Sequence, residues 1–146
     1  MSSSNPAAAA TPTNDDAAAA PSATYDGSCH CGGVAYRVTV SPPLDHADST
    51  VTSCNCSICV RKGYLLVYVP SKNVAFEEGK GRDGLKNYTF AQERFQHSFC
   101  PTCGTSLFAE SITPDLFPDM MAVNVRTFHD VDVSKLKIKE IDGKSL

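Results

Sequence analysis

Seven cysteines in a chain of 146 residues fall into three groups, and none stands alone: Cys29-x-Cys31, Cys54-x-Cys56-x-x-Cys59 and Cys100-x-x-Cys103. Clustered sulfur at this density staples a small domain, either as disulfides or as metal ligands. An odd count argues against a closed disulfide set. Compartment points the same way. Met1–Thr24 consists almost wholly of Ala, Pro, Ser and Thr, with no Lys or Arg and with Asp15 and Asp16 between its alanine blocks. It therefore fits neither a secretory signal nor a mitochondrial presequence. No run approaches the roughly 18 apolar residues of a membrane helix. These features predict a cytoplasmic protein whose thiols stay reduced, and so they favour metal.

The spacing supports that choice. In Cys100-Pro101-Thr102-Cys103-Gly104 the proline fixes φ at the entry, and the glycine lets the chain turn amide groups back toward the sulfurs. Cys29-His30-Cys31-Gly32-Gly33 is punctuated in the same way. Two such pairs bracketing a domain make a tetrahedral four-cysteine site, which is closed and structural. Structural zinc of this kind contributes about 10–16 kcal/mol to folding, more than a typical domain's whole net stability. Cys54, Cys56 and Cys59 are left over. Three protein ligands with a fourth position open is the arrangement of a catalytic zinc. From spacing alone, His30 or His97 could instead close the site, or Cys54 and Cys59 could join one of the pairs. Four-cysteine cluster spacing for iron–sulfur is absent, and nothing marks a base beside a cysteine nucleophile.

Around the cysteines the pattern is that of strands. Val34, Tyr36, Val38 and Val40 alternate with Ala35, Arg37 and Thr39, and Tyr64–Val69 is an unbroken β-favouring run. Tyr88–Phe90, Arg94–Phe99, Ser106–Ala109 and Met120–Phe128 read as further strands, the last with Met121, Val123, Val125 and Thr127 on one face. Asp130–Leu146 mixes charges that cancel, which predicts a solvated segment with at most a helical turn. The expectation is a mainly β, single small zinc-stapled domain at residues 25–146, built from antiparallel strands, behind a disordered tail at 1–24. Charge excludes a general role on polyanions. Of the 16 acidic residues two lie in the tail, so the domain's 13 basic residues are nearly balanced, and no pull toward nucleic acid or an anionic membrane results.

The three motifs, read with their neighbours, carry a resemblance. Gly27-Ser28-Cys29-His30-Cys31-Gly32-Gly33-Val34, Cys54-Asn55-Cys56-Ser57-Ile58-Cys59 and Phe99-Cys100-Pro101-Thr102-Cys103-Gly104-Thr105 resemble the glutathione-dependent formaldehyde-activating enzyme family, which also contains centromere protein V. Gly63–Tyr68 and Ala122–Arg126 are similar to segments of fungal members, and the resemblance spans Tyr25 to Gly143. It implies coiled antiparallel sheets around two Zn²⁺ ions. Cys29, Cys31, Cys100 and Cys103 would hold the structural zinc. Cys54, Cys56 and Cys59 would hold the catalytic one, its fourth position free for water or substrate. The implied activity is that of a carbon–sulfur lyase or synthase, adding glutathione or another thiol to formaldehyde or a related carbonyl. Arg61 and Lys62 are placed by sequence to meet a glutathione carboxylate, with Arg94 and Arg126 as more distant candidates. Val60 departs from the family pattern, where a Thr or a basic residue is usual. Two alternatives remain open: the same zinc site acting on a larger electrophile in a biosynthetic pathway, and a non-catalytic zinc module for a protein partner. The tail lacks the basic residues that a chromatin or microtubule partner would call for.

Overall fold

Ala35–Val40 shows most directly how the sequence makes this fold. Tyr36, Val38 and Val40 are buried while Arg37 between them is exposed, as expected of a strand with one face on a core. The computed structural model describes residues 21–145. In it this strand, β2 (Ala35–Val40), lies between β1 (Ala23–Ser28) and β5 (Val74–Phe76) in an antiparallel three-stranded sheet. A second sheet of seven strands runs in the order β10-β3-β4-β9-β8-β7-β6. Its members are β3 (Val51–Cys54), β4 (Leu66–Pro70), β6 (Lys86–Tyr88), β7 (Phe95–Phe99), β8 (Ser106–Ser111), β9 (Met120–Asn124) and β10 (Ile138–Ile141). One short helix, α1 (Ser57–Lys62), follows β3. The mainly β class expected from the sequence is the one that forms, and no helix among the described residues is long and apolar enough to cross a membrane.

Period two divides the large sheet into two faces. Val67, Val69, Leu107, Phe108, Val123 and Met121 pack with Tyr36 and Val38 of the small sheet in the main core. Rings interlock there: Tyr36 meets Phe108 edge-on at 5.1 Å between centroids, and Phe76 meets Phe108 at 5.6 Å. The alternate residues, Leu66, Ala109 and Ala122, form a smaller cluster with Tyr64 on the opposite face, against Cys59. That second face carries the candidate site. Asn124 ties the sheet together at the end of β9. Its side-chain oxygen accepts from the N–H groups of Leu65 and Arg126, and its amide donates to the Ser106 carbonyl, so this buried polar group is satisfied.

Three differences from the sequence reading have physical causes. Tail residues 1–20 lie outside the described residues, and Ala23 and Thr24 belong to β1, paired with Val40 and Thr39. The Met120–Phe128 segment is strand only to Asn124. Val125 and Thr127 are buried as expected, but in a 3-10 turn. The charged C-terminal segment contains β10, which runs parallel to β3, with Ile138 beside Val51 and Ile141 beside Cys54. This one parallel pair departs from the all-antiparallel expectation. Three of its four side chains are exposed, so it is held by main-chain pairing and leaves no apolar alternation to read.

Gly27 sits opposite Tyr36 in the β1–β2 ladder, and the Tyr36 ring folds across it toward the Thr127 hydroxyl. A Cβ at Gly27 would stand 2.5 Å from the ring. Gly27→Ala is therefore expected to lower unfolding free energy in urea by about 1–3 kcal/mol, whereas a wild-type midpoint would show that the ring is not held there.

Candidate metal centres and the adjoining cavity

Cys29 and Cys31 follow β1 of the small sheet, and Cys100 and Cys103 follow β7 of the large one. The fold brings their four sulfurs within 4.8 Å of one another. Cys29 and Cys31 are 3.6 Å apart and Cys31 and Cys100 3.7 Å apart, sulfur to sulfur. A disulfide is far shorter, at about 2.05 Å, and all seven thiols are free. Tetrahedral zinc with bonds of about 2.3 Å sets its sulfurs about 3.8 Å apart, so this donor set fits that metal. Gly32 and Gly104 take φ of 79° and 82° at the exits of the two turns, the left-handed region that glycine tolerates. Around the sulfurs, the Val34 N–H points at Cys29 at 3.3 Å, and the Thr105 hydroxyl lies 3.2 Å from Cys103. The Thr105 hydroxyl and N–H draw the Cys103 thiol down to about 5. The Gly33 N–H works in the same direction on Cys31, but the neighbouring thiols of Cys29 and Cys100 outweigh it and push Cys31 up to about 11. Four thiols this close cannot all ionise without a cation among them.

The second cluster is built from the end of β3 and the start of α1. Cys54 closes the strand, Cys56 stands immediately before the helix, and Cys59 lies within it. Their sulfurs also lie within 4.8 Å of one another. The tight helical turn is closed by the Val60 N–H on the Cys56 carbonyl and ended by Gly63 at φ 64°. Burial resists ionisation of Cys56, yet N–H groups of Cys59 and Ile58 and the adjacent thiols bring it below its ordinary value. Burial and the Cys56 sulfur together push Cys59 well above the thiol range. No histidine among the described residues joins either cluster. His30 is exposed. His97 is buried, its Nδ1 3.1 Å from the Tyr64 hydroxyl. Burial, and then the charge of Lys62, hold His97 below the usual imidazole value.

All three cysteines of this second cluster line one cavity of about 660 Å³ on the outer face of the large sheet. The period of the strands explains its walls. Thr52 and Cys54 of β3, Leu66 and Tyr68 of β4, Ala122 of β9, Ala109 of β8 and His97 of β7 all point to this side. No Lys or Arg among the described residues lines it. Arg61 is exposed and donates to the Ser57 carbonyl at 3.2 Å. Lys62 donates to the Ser106 hydroxyl at 3.2 Å and lies 5.0 Å from the Phe99 ring. Arg126 donates to the Gly63 carbonyl at 3.0 Å. The sequence places Arg61 and Lys62 next to the cysteines; in the structure neither lines the cavity.

Residues 24–141 match the family model described as glutathione-dependent formaldehyde-activating enzyme. The chain belongs to that family. The fold also resembles that of a crystal structure of a Rhodobacter sphaeroides protein. The TM-score is 0.63 and the identity 24%, over 78% of this chain and 99% of that one. Glutathione and formaldehyde fit the family description, and both of its cysteine clusters could hold metal here.

Sequence reasoning missed the C-terminal support of the three-cysteine cluster. The Asn55 amide donates to the Asp142 carboxylate at 2.8 Å, and the Asn55 side-chain oxygen accepts the Lys144 N–H at 2.8 Å. The Ser145 hydroxyl and the Asn55 amide hold Asp142 below the usual carboxylate range. This lacing sets Gly143 against Cys54, where a Cβ would fall on the sulfur. Nothing local in the sequence marks Gly143, because its partner lies in a distant segment. Gly143→Ala should therefore lose metal at the three-cysteine site and keep it at the four-cysteine site, as read by metal analysis. Cys103→Ser should abolish the cooperative unfolding transition. Equal metal loss from both sites in Gly143→Ala would contradict the placement.

Proposed function

We propose that this protein is a zinc-dependent carbon–sulfur lyase or synthase that joins a thiol to a carbonyl carbon and reverses that step. Cys54, Cys56 and Cys59 hold the catalytic zinc; Cys29, Cys31, Cys100 and Cys103 hold a structural one. The observation that carries this reading is that three cysteines whose sulfurs gather within 4.8 Å all line one cavity, whereas the other four form a set complete in itself. Zinc bound by three thiolates supplies an exchangeable position that lowers the pKa of a thiol or polarises a carbonyl oxygen. Formaldehyde and glutathione are the reference pair, by the family's description. Seven free thiols suit a reducing, cytoplasmic setting.

The chain's own residues account for the remaining requirements. In the forward direction the sulfur lone pair forms the C–S bond, the carbonyl π pair moves to oxygen, and the proton lost by sulfur is the one oxygen gains. The Tyr64 side chain packs against Cys59 and its hydroxyl is hydrogen-bonded to His97 Nδ1; this phenol relays the proton, giving its own to the carbonyl oxygen as it takes the one lost by sulfur. Neutral His97 keeps the phenol oriented; its burial opposes the imidazolium form. Apolar walls keep bulk water from the C–S bond, and the cavity holds the two reactants together.

Thiol–aldehyde exchange followed by NMR tests the reading, with a no-protein blank because the reaction also runs unaided. Glutathione with formaldehyde and benzyl mercaptan with 3-phenylpropanal form the panel. Acceleration by the zinc-loaded protein is expected for at least one pair. It should vanish in Cys56→Ser, which should still fold, and fall by about 10²-fold in His97→Gln with metal content intact. Wild-type turnover by Cys56→Ser would sink the assignment.

A further inference from the structure

We infer that the carbonyl substrate of this site carries an apolar, aromatic body, lodged against a wall of rings with its reactive end toward Cys54, Cys56 and Cys59. The inference rests on the carbon–sulfur reading above and names its substrate class. Size is the first argument. Formaldehyde needs little more room than a water molecule, about 30 Å³, whereas the cavity holds about 660 Å³, the size of sites that enclose drug-sized ligands. Its floor is deliberately low: Ala109 and Ala122 are cross-strand partners at its centre, where any larger pair would fill the hollow.

Charge is the second. Glutathione carries two carboxylates and an ammonium group, and burying them needs partners. The cavity's one charged lining residue among those described is Glu110, and Arg82 already occupies both its oxygens, at 2.7 and 3.1 Å. The carboxylates of a glutathione body therefore meet no Lys or Arg among the lining residues.

The third is what the walls offer instead. Half of the exposed large apolar side chains among the described residues, Tyr68, Phe90, Phe95 and Phe117, gather at this one cavity, the kind of concentration that marks a binding surface. Within it Phe90, His97 and Tyr64 form a row of rings at successive centroid distances of 5.9 Å, ending beside Cys59. Tyr64 and His97 are buried at its inner end, so Phe90 is the ring of this row whose surface is open to an aryl group. Phe117 holds φ at 46° and is 63% exposed. Glu93 and Asp119, in the two segments that carry Phe90 and Phe117, are also left-handed, at 54° and 59°. Non-glycine residues in that region carry strain of the kind that collects at ligand sites.

Equilibrium binding to the zinc-loaded protein by calorimetry separates the possibilities without requiring turnover. The probes are cinnamyl alcohol, n-decanol and S-methylglutathione, none of which is a thiol or an electrophile, so each reports on body recognition alone. Cinnamyl alcohol is expected to bind at least about tenfold more tightly than S-methylglutathione. Ala122→Leu, which fills the floor, and Phe117→Ala, which removes a wall on the surface, should each weaken it by about tenfold with metal content unchanged. Tighter binding of S-methylglutathione, or cinnamyl alcohol binding that ignores both substitutions, would overturn the inference. Tighter binding of n-decanol would overturn its aromatic part. Such failures alongside Cys56-dependent turnover of glutathione and formaldehyde leave the carbon–sulfur reading in place. Aryl binding as expected, with no turnover of any thiol–carbonyl pair, supports the occupant and contradicts that reading instead.

Discussion

The four-cysteine clasp is the constraint on which the rest depends. Its two halves come from different sheets, Cys29 and Cys31 after β1 and Cys100 and Cys103 after β7, so closing it fixes the small sheet on the large one. A domain of this size buries a modest core, and a metal held by these four sulfurs would offset what the core lacks. The turns around the sulfurs are built for that purpose. Gly32 and Gly104 take the left-handed conformations, and Thr105 joins the two halves by accepting the His30 N–H as well as touching Cys103.

Once the sheets are clamped, the alternation of side chains along the large sheet creates the site. One set of residues faces the small sheet and is fully packed. The other set faces outward, with alanines at the centre and aromatic rings at the rim, and that leaves a hollow. The Cys54–Cys59 motif lies at the edge of this hollow because β3 delivers Cys54 there and α1 folds back at once to bring Cys59 beside it. The hollow is thereby divided, with sulfur at one end and apolar surface along the rest. The basic residues nearest in sequence make backbone or hydroxyl contacts instead, with Arg126 on the carbonyl of the helix-ending Gly63.

Much of this was legible in the sequence, for identifiable reasons. Local spacing gathers the seven cysteines into three groups, and the family resemblance sorts them into the two clusters found. Strands with one buried face, such as Ala35–Val40, announce themselves by alternation. Elements held by main-chain pairing do not, and β10 was accordingly read as a solvated segment. Arg61 and Lys62 adjoin the cysteines in sequence but do not line the cavity, because a helical turn points neighbouring residues in different directions. The cavity was invisible for a further reason. Phe90, Phe95, Phe117 and Tyr68 come from separate segments, and each alone reads as a strand or loop aromatic. Their convergence, like that of Gly143 on Cys54, is a property of the assembled sheet.

The central claim is that one chain builds a closed four-sulfur centre and a separate open three-sulfur centre. X-ray absorption at the zinc edge of the purified, fully loaded protein tests it most directly. The account predicts two zincs per chain, an average of between three and four sulfurs around each, a minor shell of lighter donors, and no metal–metal distance. A single zinc per chain, or a zinc–zinc shell with sulfurs shared between the ions, would contradict it.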